Sequence, residues 1–314
     1  MQSYLDILKN IKENGIGKIP QRAYNNTEVE YTVALPSMYW RHDMSEGFPL
    51  MTHRDMTKQM LSAAVELNGF LQGITSKQWY KDNGCHYWDH WANPQEIHNY
   101  FSYDDSRTKQ DLDEEWKYWQ KQCNDLGRIY PHQLRNFGGQ KTPVYESGKE
   151  QPIVYTNIIP GFDQLKFVMD TLKTKPYDRG IVVNYWNPND VPHQALRTCH
   201  YAWQVVVIGE RLHLHYNMRS CDFLLGHNCH SYGLLLCLLS NWSGFEPGIL
   251  SAHFQDCHIY HSQFEVADKI LQRKPKSLPT IRIHEKDPTQ WQYNDYELFN
   301  YDPHPPIKMP KPVV

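Results

Sequence analysis

The chain has 314 residues, 40% hydrophobic and 21% charged, with a formal net charge of -3. Such a chain builds one large domain or two ordinary ones around a real core. Its near-balanced charge excludes broad charge-driven nucleic-acid binding, although a few local arginines suffice for a small phosphorylated ligand. The cysteines Cys85, Cys123, Cys199, Cys221, Cys229, Cys237 and Cys257 are odd in number and form no CxxC. Free thiols in a reducing compartment are therefore expected, without a disulfide framework or a zinc ribbon.

The N-terminal MQSYLDILKNIKENG reads as a charged amphipathic helix with Leu5, Leu8 and Ile11 on one face, closed near Gly15, and not as a signal peptide. No apolar run approaches the roughly 18 residues that span a bilayer, so a cytosolic protein without a membrane partner is expected. A polar stretch runs from about Arg22 to Glu30, and a helix follows over about Met56–Gln72. Glu66 lies inside its apolar stretch, and the plain reading has it facing water at the edge of the stripe.

Residues 94–125 are polar and studded with aromatics, and read as an inserted helical excursion rather than a domain. Gly and Pro cluster over Gly138–Pro152, which predicts a loop. A helix is expected over about 161–174, ending near Pro176. Beyond it, GIVVNYW, YAWQVVVIGERLHLHYNM and GILSAHFQDCHIYHS are rich in β-branched and aromatic residues and predict strands. SYGLLLCLLSNWSGF is apolar all round and predicts a buried helix. The expected class is α+β, with one mixed sheet flanked by helices. The Pro-rich YDPHPPIKMPKPVV reads as a disordered tail by composition alone.

Several groups carry chemistry. Cys199, in LRTCHYAW, is a buried small hydrophobe by default. It becomes a nucleophile only in a positive neighbourhood, for which Arg219 and Arg179 are candidates. In Arg219-Ser220-Cys221-Asp222 a guanidinium fork and a hydroxyl suit a phosphate, the alternative being a charged turn. His258 and Tyr260 are two apart, so on a strand they share a face. GHNCH and DCHIYH match no common zinc spacing, and no metal is expected. Ten Trp and 21 Tyr allow stacking of flat rings besides ordinary packing.

Read in order, the motifs resemble the thymidylate synthase family, which includes the pyrimidine nucleotide hydroxymethylases. They are SEGFPLMT, VELNGFLQGIT, YWDHWAN, DRGIVVNYWNP, LRTCH, MRSCDFLLG, DCHIYHSQ and YDPHPPIKMPKPVV. They span nearly the whole chain and leave 94–125 outside the match, so a single catalytic domain, 1–314, with an insertion there is expected. The resemblance implies a nucleophilic Cys199 that adds to C6 of a pyrimidine deoxynucleoside monophosphate. C5 then takes the one-carbon unit of 5,10-methylenetetrahydrofolate. It also implies Glu66 as a proton-steering acid, Tyr130 near the C5 proton, and Arg219 holding phosphate while lowering the thiol pKa. Ser220, Arg22 and a cross-subunit Arg179 join Arg219 at the phosphate, and His258 with Tyr260 holds the sugar. Trp88, Trp91, Leu196, Asp222, Leu225, Gly226 and Val314 shape the folate pocket. A homodimer follows from Arg179.

The departures bear on the exact reaction. His230 stands four residues after Gly226, where the family keeps an asparagine that reads uracil and a dCMP-acting hydroxymethylase keeps aspartate. Gly180 follows Arg179 where the family often has a second arginine. Asn217-Met218-Arg219-Ser220 resembles dCMP hydroxymethylase, whereas Trp88 and the tail resemble the synthase. The expectation is hydroxymethylation of dUMP for modified DNA, in the cytoplasm of a cell infected by a virus such as a phage. The alternatives are thymidylate synthesis from dUMP, modification of dCMP, and an inactive nucleotide-binding paralogue.

Overall fold

The computed structural model describes residues 1–20, 30–100, 108–145, 152–285 and 287–310. Helix α1 (Gln2–Asn14) buries Tyr4, Leu5, Ile7, Leu8 and Ile11 on one face, as its periodicity requires. Strands β1 (Ile16–Lys18) and β2 (Thr32–Asp43) follow. Helix α2 (Thr57–Gln72) buries most of its length, Glu66 included, and stops at Gly73. Helices α3 (Lys77–Asp82), α4 (Pro94–Tyr100) and α5 (Lys109–Gln122) come next. A reciprocal Thr108–Asp111 box caps α5. Ala92, Ile97 and Cys123, flanked by Trp116 and Trp119, form a small satellite core apart from the main one.

After α6 (Tyr130–Asn136) the structure departs from the sequence expectation. The segment expected as a loop forms β3 (Gln140–Tyr145), paired antiparallel with β4 (Pro152–Ile159). A two-stranded ribbon is all edge, so prolines there need not break a ladder on both sides. Helix α7 (Gln164–Thr174) and strand β5 (Val182–Asn184) lead to β6 (His200–Ile208), β7 (Arg211–Met218) and β8 (Cys221–Asp222). Then come α8 (His227–Ser243), β9 (Glu246–Tyr260), α9 (Phe264–Leu271), and the hairpin β10 (Thr280–Ile283) and β11 (Tyr296–Phe299).

The main sheet runs β1-β2-β9-β7-β6-β5, with β8 also pairing on β9. β9 is antiparallel to β2 and parallel to β7 and β8. α8 is the crossover that joins the parallel strands β7 and β9, the connection such a pair needs. The class is thus α+β, a mixed sheet flanked by helices, as expected. The described part of the Pro-rich tail has no regular structure, yet it is pinned and not loose. Tyr301 donates its hydroxyl to the Met51 carbonyl at 2.9 Å and accepts from the Met56 amide at 2.9 Å. The His304 amide donates to the Thr52 carbonyl at 2.8 Å.

Candidate active site

Cys199 sits at the start of β6, half-buried. Its amide donates to the Tyr130 hydroxyl at 2.6 Å, and its carbonyl accepts from the Arg219 amide at 2.8 Å. Arg219 brings one guanidinium nitrogen to 3.9 Å from Cys199 Sγ. That guanidinium is oriented by the carbonyls of Thr198 (2.9 Å) and Arg197 (2.8 Å). Burial pushes the thiol pKa up, against the lowering pull of Arg219, while a charged Glu66 pushes it further up. The expected low thiol pKa is therefore corrected: desolvation outweighs the one guanidinium.

Glu66 does not face water. Its residue is 5% exposed and its carboxyl accepts the Trp88 indole N–H at 3.0 Å. Burial raises its pKa to about 8, with the Trp88 bond opposing. The carboxyl is thus mostly protonated at neutral pH, which also removes its repulsion of a Cys199 thiolate.

Beside Glu66 lies a cavity of about 20 Å³, lined by Phe70, Tyr185, His200, Asn228, Ser231 and Tyr232 among others. That volume holds about one water. His200 stacks on Tyr130 with centroids 4.1 Å apart, and its Nδ1 lies 2.8 Å from the Tyr232 hydroxyl. Burial lowers its pKa to about 3, so it is a neutral ring. Ser231 Oγ is buried without a hydrogen-bond partner among the described residues.

Helix phase decides which α8 residues reach this cavity. Gly226 takes φ 67 immediately before α8, and a Cβ there would lie 2.1 Å from Met51 Cε. The positive φ favours glycine, and a Cβ there would also require the Met51 methyl to move aside. With the helix starting at His227, Asn228, Ser231, Tyr232 and Leu235 share the face toward Glu66. His230, two residues beyond Asn228, turns through about 200° to another face. It is fully buried, and neither ring nitrogen has a partner among the described residues. Burial first, then His227 and Arg54, lowers its pKa to about 3. His230, expected to read the base, does not line this cavity, whereas Asn228 does.

The β8–β9 register sets Asp222 opposite His258. Asp222 accepts from Gln263 at 2.8 Å and from the Leu224 amide at 3.2 Å, and burial raises its pKa. His258 and Tyr260 share a face of β9, with rings edge-to-face at 5.4 Å. Ser220 is half-buried beside Arg219. Trp88 is buried, and Trp91 and Leu196 pack partly buried against the main core. Leu225 is half-buried just before Gly226. Arg179 is exposed before edge strand β5, its carbonyl accepting from Gln204 at 2.8 Å. Arg22 and Val314 lie outside the described residues.

Sequence reasoning missed Asn228, Ser231, His200 and Tyr232; helix phase counted from Gly226 was the available signal for the three on α8, and adjacency to Cys199 for His200 on β6. It also missed Arg54, which is 2% exposed and donates to the Leu224 carbonyl at 2.8 Å, under the turn that carries Leu225. Among the described residues no group of three or more His, Cys, Asp or Glu is placed to hold a metal ion, and no helix is long and apolar enough to cross a membrane.

The model of the family described as thymidylate synthase matches residues 2–313. With a cysteine under a guanidinium and a buried acid beside a one-water cavity, the chain belongs to the thymidylate synthase family, folate-dependent one-carbon transferases acting at C5 of a dUMP-like nucleotide.

Proposed function

We propose that this chain methylates dUMP at C5 to give dTMP. The observation that carries the reading is that Asn228 and Glu66 line one cavity together with His200, the neighbour of Cys199. A side-chain amide offers a donor for uracil O4 and an acceptor for N3–H, the pair of groups on that edge of uracil. Cys199 Sγ, once deprotonated, attacks C6 of the ring. The electron pair moves toward C5 and O4, and Arg219 compensates the thiolate charge beforehand. Glu66, mostly protonated at neutral pH, supplies a proton toward O4 through the single water its cavity accommodates. Tyr130 positions Cys199 through the amide bond.

The folate fits the residues present. Trp88, Leu196 and Leu225 offer apolar wall for a flat ring, and the buried Asp222 carboxyl offers an acceptor for its N–H groups. 5,10-Methylenetetrahydrofolate, when bound, supplies the one-carbon unit and the hydride. Trp88, held by Glu66, shields that unit from water, which favours hydride transfer over hydroxylation.

Hydroxymethylation of dUMP is the second reading, favoured by Asn217-Met218-Arg219-Ser220, in which Met218 is buried. The test is stoichiometry: methylation forms one dihydrofolate per nucleotide consumed, and hydroxymethylation forms none. A homodimer belongs to the same proposal, supported by the exposed Arg179 at the β5 edge. Sedimentation that finds a fully active monomer would contradict it. Catalysis in the cytoplasm, with all seven cysteines free, completes the reading.

A further inference from the structure

The helical excursion has no part in the chemistry above, yet one buried cation ties it to the tryptophan turn. Lys77 is 7% exposed. Its ammonium donates to the Trp91 carbonyl at 3.2 Å and to the Gln120 carbonyl at 2.6 Å. Gln120 lies in the last turn of α5, where carbonyls lack helical partners and the helix dipole is negative. The Trp91 amide closes on the Trp88 carbonyl at 3.0 Å, and Trp88 holds Glu66. A buried ammonium bound only to carbonyls is expensive to desolvate, so the geometry around it is not incidental.

The excursion's exit is clamped from both sides. Asn93 N donates to the Asp125 carbonyl at 2.7 Å, Asp125 N to Glu96 Oε2 at 2.9 Å, and Lys77 N to the Asn124 carbonyl at 3.0 Å. On the far side, Arg128 N donates to the His193 carbonyl at 2.8 Å and Ala195 N to the Leu126 carbonyl at 3.0 Å. Gly127 takes φ 72, and a Cβ there would lie 2.0 Å from the His193 carbonyl oxygen. The exit strand is therefore wedged between the Trp88–Trp91 turn and the segment leading to Leu196 and Cys199.

We propose that Lys77 and the inserted α4–α5 pair form a latch that holds the Trp88–Trp91 turn closed over the folate side of the site. Lys77 is then a positioning residue for folate binding and for exclusion of water. This rests on the proposed function and assigns the insertion its role in it.

The test compares Lys77→Met, which keeps the apolar stem and removes the donors, with Lys77→Arg, which keeps donors. Three quantities are read: affinity for dihydrofolate on the dUMP-saturated enzyme by tryptophan fluorescence, dUMP affinity alone, and the ratio of methyl to hydroxymethyl product. For Lys77→Met the latch predicts folate affinity weakened about tenfold, a rise in the hydroxymethyl fraction and unchanged dUMP affinity, with Lys77→Arg largely restored. Folate affinity and product ratio both unchanged within twofold would overturn it, as would dUMP affinity falling in parallel. Should Lys77→Met fail to fold, Glu96→Ala loosens the same clamp at Asp125 and must shift folate affinity in the same direction; no shift overturns the latch. If the wild-type enzyme itself yields hydroxymethyl product, the methylation reading fails while dihydrofolate affinity still judges the latch.

Discussion

The Trp88 indole N–H donates to the Glu66 carboxyl at 3.0 Å, and no cation lies within ion-pair distance of that carboxyl among the described residues. One bond thereby joins the proposed proton source to the ring proposed to shield the folate side. Glu66 is held by a neutral donor and stays available as a proton source.

Replacing Glu66 by Gln tests this through stability as well as rate. The folded pKa, about 8, lies above the ordinary 4.5. The stability Glu66 contributes is thus fully present below pH 4.5 and is lost as pH rises through about 8. Glu66→Gln is expected to flatten that decline, seen as urea midpoints at pH 7 and 9, above the range where the buried histidines titrate, that lie closer together than in the wild type. Turnover should drop by about 10²-fold or more.

Cys199→Ser should abolish turnover and the release of tritium from [5-³H]dUMP, because the ring is never activated at C5. Nucleotide affinity should stay within a few-fold, since Arg219 and Ser220 remain. Calorimetric titration with dUMP checks the second half. Retained tritium release would show that Cys199 is not the nucleophile.

Base choice should follow Asn228 and ignore His230. Asn228→Asp replaces the donor amide with a group that accepts from a cytosine amino group, so the ratio of kcat/KM for dUMP over dCMP should fall by about 10-fold or more. His230→Asn should leave that ratio unchanged. Steady-state kinetics with both nucleotides decide it, and a ratio that moves with His230 alone would refute the helix-phase argument.

Acid should destabilise the fold well before the carboxylates titrate. Burial depresses His200 and His230 to about 3, and His53 and His227 to about 4. Each contributes stability that is present above the ordinary 6.5 and is lost as pH falls through the folded value. Melting temperatures measured from pH 7 to pH 4 should fall steeply, and less so in His230→Leu.

Much of the architecture was legible because burial leaves a period in the sequence. Leu5, Leu8 and Ile11 mark α1, the apolar run through Leu234–Leu239 marks α8, and the β-branched segments mark β6, β7 and β9. The Gly138–Pro152 stretch misled, because proline signals a break only where both strand edges are bonded, and β3–β4 is a free ribbon. Cys199, Arg219 and Asp222 were named through motif order. The position of His230 off the cavity was not legible because counting from Gly226 along the chain ignores rotation about the helix. The Glu66 pKa was invisible in the sequence, since it comes from packing contributed by distant segments such as the Trp88 turn.

The most direct measurement is mass spectrometry of the nucleotides formed when the enzyme meets 5,10-methylenetetrahydrofolate with equal dUMP and dCMP. The account predicts that dUMP alone gains the mass of a methylene (methyl replacing hydrogen), with one dihydrofolate formed per product. A hydroxymethyl product, or modification of dCMP in preference to dUMP, would contradict it.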